Sequence, residues 1–309
     1  MNCYINGNYA VTELGGGGIK KRALRRGENF QPKFPDSIDL KITNSCSRGC
    51  PFCHENSVPG GKSFNLQRTI GILSTLPRVG IEIAVGGGNI FDIPNEAAEL
   101  LTWMTDYGFR PRITITYDDL VENANYIEEY RFSSGTLPPQ AAIFKNSPFI
   151  GVSIGKYYDK LDIPYYGMND PIVWHVIVGV MPVEDMRKIL SDCKYHKILI
   201  LGFKNFGRAV GQTPKELEEW KVLGKEIAQR RFIKTIGFDN LALEQLEIRD
   251  HIDTKTWDSL WFGPEFCTSM YVDAVEETFA PTSRSIDRMS WNDITLLDYF
   301  NKYRNVFSD

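Results

Sequence analysis

Short apolar stretches alternate with amphipathic stretches between residues 37 and 240. Two-residue periodicity or continuous apolar character predicts strands at 37–44, 81–85, 112–117, 149–155, 171–180, 197–203 and 235–240. A 3.6-residue period predicts helices at 65–76, 95–108, 118–131, 183–194 and 213–231. Regular alternation of strand and helix is typical of β-α-β units and predicts a parallel sheet. The apolar strands at 171–180 and 197–203 indicate a sheet that is covered on both faces.

The start of the helix at 213–231 carries a local signal. Thr213 is a good N-cap residue, Pro214 suits the first helical position, and Glu216 follows three residues after the cap. We therefore expect this helix to begin directly after Thr213.

Segments of different composition flank the alternating region. Residues 1–36 contain four consecutive glycines and then a basic run, Lys20 to Arg26, which we expect to form an extension with a solvated, disordered arm. Residues 241–309 are acidic, with thirteen Asp and Glu against six Lys and Arg. In that segment the pattern predicts two short strands around a turn within 266–281 and a helix within 291–307. The chain thus divides into an N-terminal extension (1–36), a central α/β domain (37–240) and a C-terminal α+β extension (241–309).

Composition narrows the class of protein. The chain has 309 residues, 42% hydrophobic and 24% charged, and it contains no apolar run near the ~20 residues of a membrane span. A net charge of −4 gives no general attraction to nucleic acid or anionic lipid. Six cysteines are too few for a disulfide scaffold, and the opening residues lack the apolar stretch of a secretory signal. We expect a cytoplasmic protein with no membrane partner.

Three of the six cysteines form a cluster. Cys46, Cys50 and Cys53 follow the first predicted strand of the alternating series, at the carboxyl edge of the sheet where active sites of parallel α/β folds collect. Three thiolates on one short loop can each bind one iron of a [4Fe–4S] cluster and leave the fourth iron without a protein ligand. An open iron is a binding position for a substrate or cofactor.

The spacing C-x3-C-x2-C, with Phe52 before the last cysteine, resembles the signature of the radical S-adenosylmethionine (radical SAM) superfamily. The resemblance extends from about Ser37 to Gly207. It implies a partial (β/α)6 TIM-like barrel with a [4Fe–4S] cluster at its mouth. It also implies an oxygen-sensitive enzyme that reductively cleaves S-adenosylmethionine to a 5′-deoxyadenosyl radical, which abstracts hydrogen from a substrate.

The resemblance also implies which residues bind S-adenosylmethionine. In the family a Gly-Gly-Glu-like loop follows the second strand, and here that position holds Gly86, Gly87, Gly88 and Asn89, so the glycines match and the acid is missing. A polar residue on the fourth strand corresponds to Ser153, with Lys156 close behind. A fifth-strand glycine motif resembles residues 175–179. The adenine-binding end of the sixth strand corresponds to residues 201–203, including Gly202 and Phe203.

Other interpretations of the same residues stay open. The cysteines could bind zinc with His54 as a fourth ligand, although adjacent Cys53 and His54 are poorly placed for one tetrahedral ion. Cys50 and Cys53 also match the dithiol spacing of glutaredoxins. A third alternative is an iron–sulfur electron carrier or redox sensor without catalysis. His175, in an apolar strand, is either a core residue or a catalytic one.

Cys267 is the second residue of the segment predicted to form two short strands. This segment resembles the hairpin that follows the barrel in radical SAM enzymes with auxiliary clusters, but no further cysteine is present to complete a second cluster. We expect a degenerate hairpin with no second cluster. Cys267 is then either a buried small residue or a catalytic thiol that faces the substrate.

The substrate class stays open at this point. The hairpin favours a peptide or protein side chain, whereas the basic run favours a nucleotide or nucleic acid. Polar residues that follow the late strands are candidates for substrate contact: Lys204, Asn205, Arg208, Asp239 and Asn240. His54, Glu55 and Asn56 could shape the entrance. The resemblance implies a protein reductant such as flavodoxin or ferredoxin.

Overall fold

The structure is a computed structural model that describes residues 3–14, 18–127, 135–161, 172–229, 234–261 and 263–304. Parts of five predicted features lie outside these residues: most of the glycine run (15–17) and the predicted element ends at 128–131, 171, 230–231 and 305–307.

A parallel sheet forms the centre of the fold, as the alternating pattern predicts. Its strands are β4 (Ser37–Thr43), β5 (Glu82–Gly87), β6 (Arg110–Thr116), β7 (Ile150–Ile154), β8 (Ile172–Ile177), β9 (Lys197–Leu201), β10 (Thr235–Phe238), β11 (Ser269–Asp273), β12 (Thr278–Ala280) and β13 (Met289–Ser290). Among the described strands the order is β10-β9-β8-β7-β6-β5-β4-β11-β12-β13. Strands β4 to β10 are mutually parallel in chain order, and β11 lies parallel to β4. This arrangement confirms the predicted barrel-like α/β fold.

Helices connect most of the parallel strands. They are α1 (Leu66–Leu73), α2 (Pro94–Tyr107), α3 (Tyr117–Glu122), α4 (Pro139–Lys145), α5 (Val183–Ser191), α6 (Leu217–Gln229), α7 (Asn240–Gln245), α8 (Thr254–Leu260) and α9 (Leu296–Tyr303), with short 3-10 turns at Ile90–Asp92, Gly207–Ala209 and Ile248–His251. Local signals set several ends: Asn65 caps α1 by accepting from the Arg68 amide, and α2 ends at Gly108, whose φ of 102° suits glycine.

The two faces of the sheet have opposite chemical character. On β4, the side chains of Ile38, Leu40 and Ile42 are buried in the helix-covered core, whereas Asp39 and Lys41 line an internal cavity. The alternation follows from the two-residue period of a strand. The expectation of a sheet packed on both faces is therefore wrong, because the inner face encloses cavities instead of a second apolar layer.

The first 36 residues contain an ordered sheet. Strands β1 (Cys3–Asn6), β2 (Tyr9–Glu13) and β3 (Ile19–Ala23) form an antiparallel meander, so the beginning of the basic run lies in a strand and not in a disordered arm. The Lys21 ammonium lies 3.0 Å from the Asp36 carboxylate, and Asp36 also accepts hydrogen bonds from Tyr9 (2.6 Å) and Asn6 (2.8 Å). This buried network attaches the N-terminal sheet to the start of β4.

The helix predicted to begin after Thr213 begins at Leu217 instead. Glu216 adopts a positive φ of 51°, and its carboxylate accepts a hydrogen bond from the Val183 amide at 2.7 Å. The Lys215 amide donates to the Gly179 carbonyl at 3.3 Å. Contacts with the turn after β8 therefore override the local capping signal.

The predicted C-terminal hairpin and helix are present as β11, β12 and α9. Pairing of β11 with β4, in the register Ser269 to Ser37, makes the hairpin a continuation of the main sheet. Among the described residues, none of the helices has the length and apolar character that crossing a bilayer requires.

We predict that Asp36→Ala lowers the free energy of unfolding by about 3–5 kcal/mol, because it leaves the buried Lys21 ammonium without its carboxylate. Urea denaturation measures this change. Glu28→Ala is the control, since the Arg25–Glu28 pair is exposed and 3.8 Å apart, and such pairs contribute less than ~1 kcal/mol. Equal losses in the two variants would show that the buried network does not anchor the N-terminal sheet.

Candidate active site

The cysteine cluster lies at the mouth of the barrel, on the loop that follows β4. Cys46, Cys50 and Cys53 are free, partly buried thiols, and all three line one cavity of about 370 Å³. Burial raises the pKa of the Cys50 thiol, and the neighbouring Cys46 and Cys53 raise it further. The three thiols are therefore close enough to influence one another.

Within the described residues, no group of three or more His, Cys, Asp or Glu side chains is arranged to hold a single metal ion. A cubic cluster makes a different demand, because each thiolate binds a different iron and the sulfurs need not converge on one point.

The structure brings most of the predicted site residues to this cavity. Besides the three cysteines, its lining includes Phe52, Gly87, Gly88, Asn89, Ser153, Gly202 and Phe203. These residues come from the ends of several strands, so a parallel barrel is what assembles them.

The glycine turn after β5 packs directly on the chain that leads into the cysteine loop. The Gly88 amide donates to the Thr43 carbonyl and the Asn89 amide to the Ser45 carbonyl, both at 2.7 Å. A Cβ atom on Gly88 would lie 2.0 Å from the Ser45 carbonyl oxygen, and Gly87 has a φ of 110°. Glycine is required here because backbone meets backbone.

A second contact holds the cysteine loop from the side of β9. The Arg208 guanidinium donates to the carbonyls of Cys50 (2.9 Å) and Ser57 (2.5 Å), and its amide donates to the Cys53 carbonyl at 2.9 Å. A Cβ atom on Gly207 would lie 2.4 Å from the His54 carbonyl oxygen. Arg208 therefore positions the loop, whereas its sequence position after a strand suggested substrate contact.

A third contact starts inside the cysteine motif. The Arg48 guanidinium forms ion pairs with Asp119 and Glu122, both on α3. Asp119 is buried and also accepts a hydrogen bond from the Asn89 side chain at 2.9 Å. The same carboxylate closes a capping box with Thr116. Asp119 thus joins the cysteine loop, the glycine turn and the end of β6.

Neither Arg48 nor Asp119 is among the site residues predicted from the sequence. Asp119 follows Thr116 by three residues, which is the spacing of a capping box, so its capping role can be predicted from the sequence. Its ion pair with Arg48 spans 71 positions of sequence, and a single sequence carries no signal for such a pair.

Three predicted residues lie outside the mouth cavity. Gly86 lines the neighbouring internal cavity. Lys156 is exposed, and its ammonium lies 5.2 Å from the ring centre of Tyr158, which does line the mouth cavity. Cys267 precedes β11, which runs parallel to β4, so it lies at the amino end of the sheet. The cysteine loop lies at the opposite, carboxyl end, and Cys267 therefore does not face the site.

The remaining candidates also have definite places. The imidazole Nε2 of His54 lies 3.3 Å from one carboxylate oxygen of Glu55, and the other oxygen lies 2.8 Å from the Lys41 ammonium. Burial opposes ionisation of Glu55, but His54 and Lys41 outweigh burial and lower its pKa to about 2. His175 lines the internal cavity, and burial lowers its pKa to about 4, so its imidazole is neutral at pH 7.

We predict that Arg208→Ala increases backbone hydrogen exchange in residues 50–57 by about tenfold or more, because two charge-assisted hydrogen bonds are lost. Mass spectrometry of peptides that cover the cysteine loop measures the change. Gln212→Ala is the control, since Gln212 makes one exposed hydrogen bond to the Pro51 carbonyl. Equal exchange in both variants would mean that Arg208 does not hold the loop.

Comparisons with known proteins bear on the fold. No protein-family model matches the sequence, and no curated protein gives a significant match. The fold is similar to that of Streptococcus suis SuiB bound to the precursor peptide SuiA, with 15% identity, a TM-score of 0.56 and coverage of 87% of this chain and 65% of that chain. The chain thus spans about two thirds of the SuiB length in that structure.

Two further structures give the same result. SuiB bound to S-adenosylmethionine matches with 14% identity, a TM-score of 0.54 and coverage of 88% of this chain and 68% of that chain. Native anSMEcpe with bound AdoMet and Cp18Cys peptide matches with 10% identity, a TM-score of 0.54 and coverage of 88% and 82%. The chain therefore shares its fold with SuiB and anSMEcpe, and this fold is the partial barrel that the resemblance of its cysteine motif implies.

Proposed function

We propose that this protein is a radical SAM enzyme that modifies a peptide or protein side chain. The observation that carries the proposal is the placement of Cys46, Cys50 and Cys53 in one cavity at the mouth of a barrel with the radical SAM fold. Neither feature alone identifies the chemistry. Together, the C-x3-C-x2-C spacing, its position after β4 and the barrel fold favour radical SAM chemistry over a zinc site, a redox dithiol or an electron carrier.

The residues of the mouth cavity fit a [4Fe–4S] cluster and S-adenosylmethionine. Three thiols provide soft ligands for three irons, and the cavity of about 370 Å³ extends from them across the strand ends. Gly87 and Gly88 contribute backbone atoms to the wall of this cavity. When bound, the reduced cluster would supply the electron that cleaves the sulfonium and generates a 5′-deoxyadenosyl radical.

The chain's own residues have the task of binding and orientation. We assign contacts with the methionine part of S-adenosylmethionine to Gly87, Gly88 and Asn89, and contacts with its nucleoside part to Ser153, Gly202 and Phe203, all in the cavity wall. Because Asn89 stands where the family carries an acid, a carboxylate for the ammonium group must come from elsewhere. Asp118 also lines the cavity and supplies that charge in this proposal, since the Asp119 carboxylate already binds Arg48, Asn89 and Thr116.

The structural neighbours support a peptide substrate. SuiB was solved with the precursor peptide SuiA and anSMEcpe with the Cp18Cys peptide. We therefore favour a peptide over a nucleotide, and we retain a flavodoxin or ferredoxin as the expected reductant and the cytoplasm as the expected compartment.

We predict that anaerobically reconstituted protein binds about four irons per chain, as one cubic cluster requires. With dithionite and S-adenosylmethionine it should release 5′-deoxyadenosine. Cys46→Ala, Cys50→Ala and Cys53→Ala should each reduce this release by at least about a hundredfold, because a two-thiolate site cannot hold the cluster in one orientation. Chromatography of the quenched reaction measures the product.

Cys267→Ala and Cys193→Ala are matched controls, since both residues lie outside the mouth cavity. Each should keep the iron content and the cluster absorbance of the wild type. A cluster that forms and undergoes reduction without release of 5′-deoxyadenosine would instead indicate an electron carrier. About eight irons per chain would contradict the single cluster, and one zinc per chain would contradict the proposal altogether.

A further inference from the structure

A second cavity, of about 480 Å³, lies inside the barrel next to the mouth cavity. The two cavities share lining residues from several strand ends: His54, Gly87, Gly88, Thr114, Leu201, Lys204 and Asp239. A ligand in the inner cavity would therefore lie beside a ligand at the mouth. We refer to this second space as the inner cavity.

Small residues keep the inner cavity open. Ala84 and Gly86 lie on the inner face of β5, whereas the space beside Gly151 on β7 is filled by the His175 ring. A Cβ atom on Gly86 would meet no heavy atom within 4 Å. The space is therefore bounded by backbone on one side and can accept an extended chain of atoms.

Most charged groups in the wall of the inner cavity already have partners. Glu82 lies 2.6 Å from the Arg112 guanidinium, and Glu55 lies 2.8 Å from the Lys41 ammonium. Asp239 accepts hydrogen bonds from two backbone amides, at 2.9 and 2.7 Å. These groups satisfy one another, as buried charges must.

Asp39 is the exception. Among the described residues, no hydrogen bond or ion pair reaches its carboxylate. The charge that acts on it most strongly is the Lys204 ammonium, which also donates to the Ser283 hydroxyl, and Glu265, Asp239 and Glu55 oppose that effect. The Asp39 side chain is accessible to solvent within the cavity, and its depth in the protein, more than these charges, raises the pKa of its carboxyl.

The opposite wall carries a second polar atom without a partner. His175 lines the same cavity, and its buried Nδ1 has no hydrogen-bond partner among the described residues. Because its imidazole is neutral, it adds no positive charge that could compensate Asp39. The wall of the inner cavity thus presents an accessible carboxylate that no described residue binds and an imidazole nitrogen without a partner, a polarity that a cationic ligand complements.

We propose that Asp39 binds an ammonium or guanidinium group at the end of an extended substrate side chain, such as that of lysine or arginine in a peptide. The inference rests on the proposed function and names the substrate group that this site accepts. Asp39 precedes Thr43, the last residue of β4, by four positions, or about 13 Å of strand. A cationic group at that depth must lie at the end of a long side chain. The atoms of that side chain nearer the substrate backbone then lie beside the mouth cavity.

The test is a binding measurement that needs no turnover. We use anaerobically reconstituted protein with S-adenosylmethionine and without reductant, titrated by NMR with Ac-Gly-Lys-Gly-NH₂ and with Ac-Gly-norleucine-Gly-NH₂. The lysine peptide should bind at least about tenfold more tightly, the size expected of one charge-assisted hydrogen bond. In Asp39→Asn this preference should disappear, and the variant should melt no lower than the wild type because an unpartnered acid is removed.

Two further variants keep the test decisive. Glu99→Gln removes one exposed carboxylate on α2 and should keep the tenfold preference, so a loss there would mean that net charge alone is responsible. Ala84→Val narrows the inner cavity and should weaken both peptides together, even if Asp39→Asn does not fold.

The possible failures are distinguishable. If the wild type binds both peptides equally or binds neither, or if Asp39→Asn keeps the preference, the assignment of Asp39 is overturned while the formation of 5′-deoxyadenosine still supports the proposed function. If the wild type forms no 5′-deoxyadenosine but keeps a preference that depends on Asp39, the cation site stands and the proposed chemistry fails.

Discussion

Close backbone contacts at the carboxyl ends of three strands determine where the three cysteines lie. Gly87 and Gly88 at the end of β5 approach the chain between Thr43 and Ser45 so closely that a side chain on either glycine would collide with a carbonyl oxygen. Gly207, after β9, makes the same kind of approach to the loop at its far end. The loop itself contains little regular structure, so its shape comes from the barrel that holds it at both ends.

Because the loop contains little regular structure, charged side chains provide many of the contacts that hold it. Arg208 bonds to loop carbonyls that have no partner in a helix or strand. Arg48 reaches outward to Asp119, which is itself fixed by the end of β6. Since both arginines form multiple directed hydrogen bonds, they orient the loop as well as neutralising nearby charge.

The inner face of the barrel lines cavities and does not pack against a second apolar layer. On strands β4 to β9 the side chains that face the helices are apolar and buried, and the residues between them line cavities. Stability therefore comes from the layer between sheet and helices. Polar groups that are buried inside the barrel cost free energy unless they are paired, which explains the pairing of Glu82 with Arg112. Asp39 stays accessible to solvent and carries no such cost.

The sequence predicted the features that depend on local pattern and motif. The order of strands and helices, the cysteine loop at the end of β4 and the C-terminal hairpin all follow from periodicity, spacing and turn residues. The alternation in Ser37–Thr43 and Arg110–Thr116 also held the signal for a polar inner face, since every second residue there is polar. The continuous apolar character of the later strands hid that signal.

What the sequence did not predict depends on contacts between distant segments. Glu216 looks like part of a capping box, but its bond to Val183 and the packing of Gly179 against Pro214 give it another conformation. The start of the basic run is ordered because Lys21 meets Asp36 and Thr268, the latter 247 positions away. Cys267 resembles a functional cysteine by its neighbours in sequence, yet the direction of β11 places it at the wrong end of the sheet.

The pairing of β11 with β4 makes C-terminal residues part of the barrel wall. Tyr271 and Ser283 line the inner cavity, and the Asp273 carboxylate lies 3.5 Å from the Lys41 ammonium. Lys41 in turn holds Glu55 on the cysteine loop. A change in the acidic C-terminal segment therefore alters the charge of the inner cavity and the support of the cysteine loop together, because the same lysine serves both. The C-terminal segment, which lies outside the β-α repeat, is thus coupled through Lys41 to the cysteine loop and to the wall of the inner cavity.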